Sequence, residues 1–235
     1  GTIACMAYGR TGRTGIYEFQ EMITRLLGPE PDITIARSIL ETLPESNWLR
    51  KNPLYQHLVE SNDTEFADAL LNPRDRAFNT NDLQELFNRA GLAHQSFTPP
   101  MFYNPTALLK NKSAVRAAEA LSPSDRRLVA EYLLGDLNKH FLYASKHPRP
   151  SAYETALSSP DSLLHPQTKL RLPENAIAGP DEALSVDIPF EFDGRKRNIN
   201  TSLSAAEVEL VRRLVKPVRM SVLKDALSPA DFEAA

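Results

Sequence analysis

The sequence contains very little cysteine and no long apolar run. Cys5 is the only cysteine in 235 residues, so an intramolecular disulfide is excluded and no second thiol can share a metal site. That usage is typical of a reducing compartment, and we expect a cytoplasmic protein. No stretch approaches the roughly 20 apolar residues that a membrane-spanning helix needs, which argues against a membrane partner.

A charge excess of one sign is also missing. The chain has 27 Lys and Arg against 30 Asp and Glu, a net charge of −3, whereas general nucleic-acid binders are usually basic. The histidines show no metal-ligand spacing, so we assign no metal. One basic group lies near the C-terminus, and it consists of Arg195, Lys196, Arg197, Arg212, Arg213, Lys216 and Arg219. On a winged helix it would contact phosphates, but a solvated surface explains it as well, and its small size argues against a nucleic-acid partner.

The sequence does not begin with Met. It opens directly on the apolar run from Thr2 to Ala7, which predicts a strand covered on both faces, as in a parallel sheet. It closes on Pro229–Ala235, a segment typical of a helix that has just begun. From both ends we expect a fragment of a longer protein.

A glycine-rich loop, Tyr8–Gly15, follows the first predicted strand and precedes a helix that Gly28 ends. Ligands of open α/β sheets bind at the carboxyl ends of the strands. We therefore name Tyr8, Gly9, Arg10 and Arg13 as candidates: the loop amides and the two arginines for an anionic group, and Tyr8 for a cation on its ring. The alternative is a tight turn whose glycines only satisfy backbone geometry. A phosphate-binding P-loop is excluded because its Gly-Lys-Ser/Thr ending is absent.

Two further features attract attention in the first 104 residues. Arg74 and Arg76 flank Asp75 and are candidates near a substrate cleft, although a solvated structural turn is the simpler interpretation. Trp48 is a candidate lid or interdomain anchor, although we expect an aromatic of the core or of an interface. A helix capped by Thr80 or Asn81 and a strand from Leu92 to Phe97 complete this part.

The remaining sequence divides into three segments. Residues 105–146 are predicted to be helical, with Ser122–Pro123 starting a helix that continues to Tyr143; Lys139 and His140 are then cations near a helix C-terminus. Residues 147–181 are a proline-rich linker. Residues 182–235 hold a hairpin that turns at Asp193–Gly194, followed by helices from Ser204 and Ser221, as in a winged-helix-like module.

Several of these stretches, taken in order, resemble one protein family. They are residues 1–27, Leu43–Arg50, Asp75–Phe78 through Ala90–Leu92, the segment 128–143 with Gly135, Lys139 and His140, and the hairpin around Phe192–Arg195. The chain is similar to bacterial class I S-adenosylmethionine-dependent methyltransferases with a methyltransferase regulatory domain. The similarity spans nearly the whole chain, and no single motif in it is diagnostic.

The resemblance implies a fold and a function. The fold would be mixed α/β and mainly α: the tail of a Rossmann-like sheet with strand 2–7 as its fifth strand, a helical middle region and a small C-terminal α+β module. The cofactor would be S-adenosyl-L-methionine, held mostly by residues upstream of Gly1. The chain would shape the site of an acceptor, small molecule or protein, and its partner would be the missing N-terminal half. A non-catalytic helical interaction module with a winged helix is the alternative.

Overall fold

The computed structural model describes residues 1–147, 159–164, 172, 184–192, 195–214 and 216–226. Most of the predicted linker, the Asp193–Gly194 turn and the predicted terminal helix lie outside these residues. The chain forms two compact units: residues 1–103 with 121–146, and residues 104–120 with 147–235. Residues 105–146, which we predicted to be one helical segment, are divided between them. No helix in the described ranges is long and apolar enough to cross a membrane.

A four-stranded mixed sheet organises the first unit. Its strands are β1 (Thr2–Gly9), β2 (Ala77–Phe78), β3 (His94–Thr98) and β4 (Lys139–Ser145), in the order β2-β1-β4-β3. β1 runs parallel to β2 and antiparallel to β4, and β3 is also antiparallel to β4. The strands that we predicted at residues 2–7 and 92–97 are confirmed as β1 and β3, and the mixed α/β class is confirmed as well.

β1 is less covered than its apolar sequence predicted. Ile3 is 49% exposed and Met6 is 48% exposed, so the prediction of a strand covered on both faces is wrong for the described residues. The pairing explains part of this result. β4 pairs with β1 from Thr2 to Tyr8, whereas β2 pairs only with Tyr8 and Gly9. One edge of β1 is therefore open along residues 2–7 within the described part of the chain.

A helical layer follows the glycine-rich loop. It contains α1 (Ile16–Leu27), α2 (Ile33–Glu41), α3 (Trp48–Lys51), α4 (Tyr55–Glu60) and α5 (Asp63–Leu70). Asp32 caps α2 by accepting hydrogen bonds from the amides of Thr34 and Ile35. The apolar faces of α1, α2 and α5 meet in one core, to which Ile16, Phe19, Ile23, Ala36, Leu40, Phe66 and Leu70 contribute.

Two helices lie next to the later strands. The cap of α6 (Thr80–Arg89) is Asn79 and not Thr80 or Asn81 as predicted, because Asn79 and Asp82 form a reciprocal capping box. α8 (Pro123–Leu134) has the predicted cap at Ser122, whose hydroxyl accepts from the amide of Asp125. A short helix, α7 (Lys112–Glu119), belongs to the second unit.

The predicted continuation of α8 to Tyr143 is wrong. Gly135 adopts a left-handed conformation with φ 68° and ends the helix. The chain then returns as β4, in which His140, Leu142 and Ala144 are buried. Their spacing of two is that of a strand with one covered face. Lys139 and His140 are therefore strand residues and not cations at a helix end.

The second unit contains the predicted hairpin. β6 (Leu184–Phe192) pairs antiparallel with β7 (Arg195–Leu203), from Leu184 opposite Leu203 to Phe192 opposite Arg195. α9 (Ala205–Arg213) starts at the predicted cap, Ser204. β8 (Val218–Arg219) pairs with β5 (Leu163–Leu164) and leads into α10 (Met220–Ala226). The winged-helix comparison stays a prediction.

Candidate functional site

The glycine-rich loop is packed tightly against the segment that precedes β4. The amide of Gly9 donates to the carbonyl of Asn138 at 2.8 Å, and the amide of Gly12 donates to that of Leu137 at 3.0 Å. A Cβ on Gly9 would lie 2.1 Å from the Leu137 oxygen, and one on Gly12 would lie 2.2 Å from the Asn138 nitrogen. Glycine is required at both positions because two backbones approach closely.

The other side of the loop is held by α3 and the residues around it. Gly15 has φ 88°, and a Cβ there would lie 2.2 Å from the Leu49 nitrogen. The buried side chain of Asn52 donates to the carbonyls of Gly12 and Thr14 at 3.0 and 2.9 Å. The loop is therefore held on one side by the segment before β4 and on the other side by Asn52 and α3.

The loop amides of Gly9, Arg10 and Gly12 already have acceptors. Arg10 donates its amide to the carbonyl of Phe78 at 3.0 Å, and the other two bond the segment before β4. Because each amide carries a single hydrogen, none of the three is available to an anion in this structure. Backbone geometry alone accounts for the glycines, which is the structural alternative that the sequence left open.

Arg13 is buried in an ion pair. Its side chain is 5% exposed, and the carboxylate of Asp75, 4% exposed, accepts a hydrogen bond from it. The guanidinium also donates to the hydroxyl of Tyr17 and the carbonyl of Ala69, both at 3.2 Å. Burial raises the pKa of the Asp75 carboxyl, and the charge of Arg13 opposes that shift. The charge of Arg13 is thus compensated inside the protein.

The remaining candidates take different positions. The guanidinium carbon of Arg13 lies 4.1 Å from the ring centre of Tyr8, so one face of that ring is occupied by a protein cation. Arg10 is exposed and pairs with Asp82 at 2.9 Å. Arg74 and Arg76 are exposed, and Arg76 lies over the ring of Phe78 at 4.9 Å. The structure brings Tyr8, Arg13 and Asp75 together, whereas Arg10, Arg74 and Arg76 extend towards solvent.

Two hollows adjoin these residues. A groove of about 290 Å³ follows the open edge of β1, between residues 5–8, Arg76, Phe78 and the apolar side chains of α6. A pocket of about 190 Å³ lies beside the glycine-rich loop, and Trp48 contributes to its wall. Trp48 is 62% exposed, so it is not a core aromatic, and its assignment to an interface or a lid stays a prediction.

A buried polar cluster lies directly behind Gly9, and sequence reasoning missed it. His140 is fully buried; its Nδ1 lies 3.0 Å from the hydroxyl of Tyr103, and its Nε2 lies 3.1 Å from the carbonyl of Phe78. Glu131 of α8, also fully buried, is 3.6 Å from Nε2 and accepts from the amide of Thr80 at 2.9 Å. With a hydrogen on Nε2, His140 donates to the carbonyl of Phe78, and its Nδ1 can accept from the hydroxyl of Tyr103.

This cluster ties several elements to the carboxyl end of β1. It joins β2, β4 and the first turn of α6 to α8, and a Cβ on Gly9 would lie 3.2 Å from His140 Nε2. Burial, together with the nearby charge of Glu131, raises the pKa of the Tyr103 hydroxyl far above its ordinary value. His140 was the only signal of this cluster in the sequence. It belongs to a segment that we predicted to be a helix, but the segment forms strand β4 and His140 lies on its buried face.

Metal ligation finds no support among the described residues, since no group of three or more His, Cys, Asp or Glu side chains there could hold an ion. The side chains of Arg195–Arg197 lie outside what the structure describes. In the rest of the basic group, Arg213 pairs with Glu209 at 2.7 Å and Arg219 pairs with Asp161 at 3.3 Å.

Comparisons with known proteins give distant matches. No protein-family model matches the chain. An uncharacterized protein of Synechococcus sp. is 27% identical over 172 residues, which cover 70% of this chain and 40% of that protein. Two structures of PKMT2 from Rickettsia typhi, one of them in complex with AdoHcy, match 100% of this chain. They match it over 48% and 49% of their own length, with 13% and 14% identity and a TM-score of 0.48. The chain spans less than half the length of these proteins.

Proposed function

We propose that the chain is the C-terminal part of an S-adenosylmethionine-dependent methyltransferase and shapes the acceptor site for methyl transfer. The observation that carries this proposal is the position of β1. It is an interior strand of a mixed sheet, one edge remains open along residues 2–7, and a fixed glycine-rich loop follows its carboxyl end. The ordered sequence resemblance described above supplies the class of reaction.

The open edge of β1 supports a partner that belongs to the same sheet. Unpaired strand edges accept further strands, and the half-exposed side chains of Ile3 and Met6 offer apolar surface beside this edge. The N-terminal half of the full-length protein is the partner that we propose. Its strands would extend the sheet beyond β1 and cover these side chains.

Three amides of the glycine-rich loop and its buried arginine are engaged within the protein. The amides of Gly9, Arg10 and Gly12 are bonded to protein carbonyls, and the charge of Arg13 is compensated by Asp75. Both observations fit a division in which the N-terminal half binds S-adenosylmethionine, which supplies the methyl group. The role of this chain is then to hold the acceptor in line with that methyl group, and such alignment is a large part of catalysis in direct transfers.

Tyr8 and Arg10 are the residues that we place nearest the acceptor. Tyr8 lies at the carboxyl end of β1, with one ring face covered by Arg13. Arg10 lies one residue beyond the strand and is exposed beside Asp82. Segment 28–146 would shape or gate the acceptor site, and its two arginine candidates, Arg74 and Arg76, are exposed.

Incubation of the full-length protein with radiolabelled S-adenosylmethionine and cell lysate tests the proposal. We expect label to appear in protein bands or in small molecules, and which of these is labelled identifies the acceptor class. Tyr8→Ala and Arg10→Ala should slow the transfer, whereas Tyr132→Ala, at an exposed tyrosine of α8, should not. Absence of any transfer refutes the proposed function, and wild-type rates in both loop variants refute the placement of the acceptor.

A further inference from the structure

The carbonyl oxygen of Phe78 accepts two hydrogen bonds, one from the glycine-rich loop and one from the buried polar cluster. The amide of Arg10 donates to it at 3.0 Å, and Nε2 of His140 lies 3.1 Å from it. Because a carbonyl can only accept, the imidazole is the donor in the second contact. One oxygen of β2 therefore links the side chain of His140 to the first residue after β1.

The imidazole of His140 reaches β2 by crossing over β1, which lies between β2 and β4 in the sheet. His140 is opposite Ala7 in the pairing of β1 and β4, and Gly9, two residues further along β1, lies on the same face. A Cβ on Gly9 would be 3.2 Å from Nε2, so a larger residue there would crowd the ring. The small residues at positions 7 and 9 leave room for a side chain of β4 to hold a strand beyond β1.

β2 pairs with β1 over a very short distance, so these side-chain contacts matter for its position. It is two residues long, and its register with β1 covers Tyr8 and Gly9. Just after β2, the fully buried carboxylate of Glu131 accepts from the amide of Thr80 at 2.9 Å. Two buried side chains, one from β4 and one from α8, thus hold the chain that starts at Phe78.

Two contacts of Arg10 belong to this same segment, residues 78–82. The amide of Arg10 donates to Phe78, and its guanidinium pairs with the carboxylate of Asp82 at 2.9 Å. That carboxylate also accepts from the amide of Asn79 at 3.2 Å. A displacement of segment 78–82 therefore moves the main-chain contact and the side-chain contact of Arg10 together.

We propose that His140 is a positioning residue of the acceptor site: its Nε2–H group holds the Phe78 carbonyl and thereby sets the position of Arg10. This inference rests on the proposed function, in which Arg10 lies next to the acceptor. His140 itself is fully buried and does not touch the acceptor. Because a displacement of about 1 Å in an aligning group can slow a reaction about a hundredfold, a hydrogen bond behind the loop affects the rate of transfer.

Hydrogen exchange of single amides in residues 1–235, measured by NMR, tests the contact without any reaction. His140→Leu removes the donor, whereas His140→Gln places an N–H group at the same number of bonds from the main chain. The amide of Arg10 should exchange about tenfold faster in the leucine variant and within about threefold of the wild-type rate in the glutamine variant. The amide of Ala36, which is bonded to the carbonyl of Asp32, reports global opening. If Arg10 is accelerated no more than Ala36, the proposal is overturned.

Tyr103→Phe tests the same contact should neither variant of His140 fold. It keeps a buried ring but removes the hydroxyl that lies 3.0 Å from Nδ1, so the imidazole is oriented less firmly and the amide of Arg10 should exchange about threefold faster. Tyr143→Phe, the same chemical change on the exposed face of β4, is the matched control and should leave the exchange of Arg10 unchanged. Equal exchange in the two tyrosine variants contradicts the proposal.

Transfer of label from S-adenosylmethionine to cell lysate by the full-length protein tests the consequence. His140→Leu should slow transfer about tenfold and leave KM for S-adenosylmethionine unchanged, and His140→Gln should restore most of the rate. In Arg10→Ala the loss of His140 should cost less than about threefold, because both residues act through one path. Additive losses, or no rescue by glutamine, refute the positioning role. If the wild type transfers no label, the proposed function fails, and the exchange rates still decide whether His140 holds the loop.

Discussion

At the residue scale, Arg13 was a candidate site residue in the sequence, and the structure places it in a buried ion pair with Asp75. Two charged side chains that are 5% and 4% exposed are costly to bury unless they are paired. The guanidinium also reaches the hydroxyl of Tyr17 and the carbonyl of Ala69. The pair consequently joins the glycine-rich loop to α5 and to the turn before β2.

We predict that Asp75→Asn is strongly destabilising. It leaves Arg13 buried without its anion, which typically costs about 3–5 kcal/mol. Asp68→Asn, at an exposed acid of α5, should change the free energy of unfolding by less than about 0.5 kcal/mol. Urea titrations followed by far-UV circular dichroism measure both. If Asp75→Asn lowers the free energy of unfolding by no more than Asp68→Asn does, the ion pair does not stabilise the fold.

The buried hydroxyl of Tyr103 predicts a pH dependence. Its pKa is raised in the folded chain above the ordinary value of 10.0. Its contribution to stability is therefore fully present below pH 10 and is lost as the pH rises through the raised folded-state pKa, because the unfolded chain ionises first. Above about pH 10, wild-type stability should fall more steeply than that of Tyr103→Phe, by up to about 1.4 kcal/mol per pH unit. Parallel slopes in alkaline urea titrations would contradict this prediction.

At the element scale, local interactions were predictable and tertiary ones were not. The caps at Asp32, Ser122 and Ser204 follow from side chains that bond amides two or three residues away. β4 was missed because Leu133, Leu137 and Phe141 continue the helical spacing of α8. The strand is formed only because β1 and β3 lie on its two sides, and no local pattern reports that pairing.

The local features of the candidate site were predictable, and its tertiary contacts were not. The loop after β1 and its need for glycine were predictable, because the spacing of Gly9, Gly12 and Gly15 is local. The partner of Arg13 was not, since Asp75 is 62 residues away in the sequence. The contacts of His140 with Tyr103 and Glu131 depend on the same unpredicted strand.

Adjacent residues of β4 provide a test of its strand geometry. Leu142 is 1% exposed and Tyr143 is 51% exposed. Leu142→Ala should lower the free energy of unfolding by about 2–4 kcal/mol, since it removes packed methyl groups from the core. Tyr143→Ala, on the opposite face, should cost about 1 kcal/mol or less. Equal losses in urea titrations would contradict the alternation that defines β4.

At the scale of the whole molecule, the central claim is that this chain is one part of a larger enzyme. Its first unit contains a sheet with an open edge at β1 and a fixed loop at the end of that strand, in which the amides of Gly9, Arg10 and Gly12 donate to protein carbonyls. Its second unit contains a hairpin and helices. On these grounds we propose that cofactor binding belongs to a part of the protein that lies outside this chain.

Isothermal titration calorimetry with S-adenosylmethionine tests this claim most directly, on the full-length protein and on residues 1–235 in parallel. We predict saturable binding by the full-length protein and no measurable heat of binding with this chain alone. Binding by this chain alone, or the absence of binding by the full-length protein, would contradict the account.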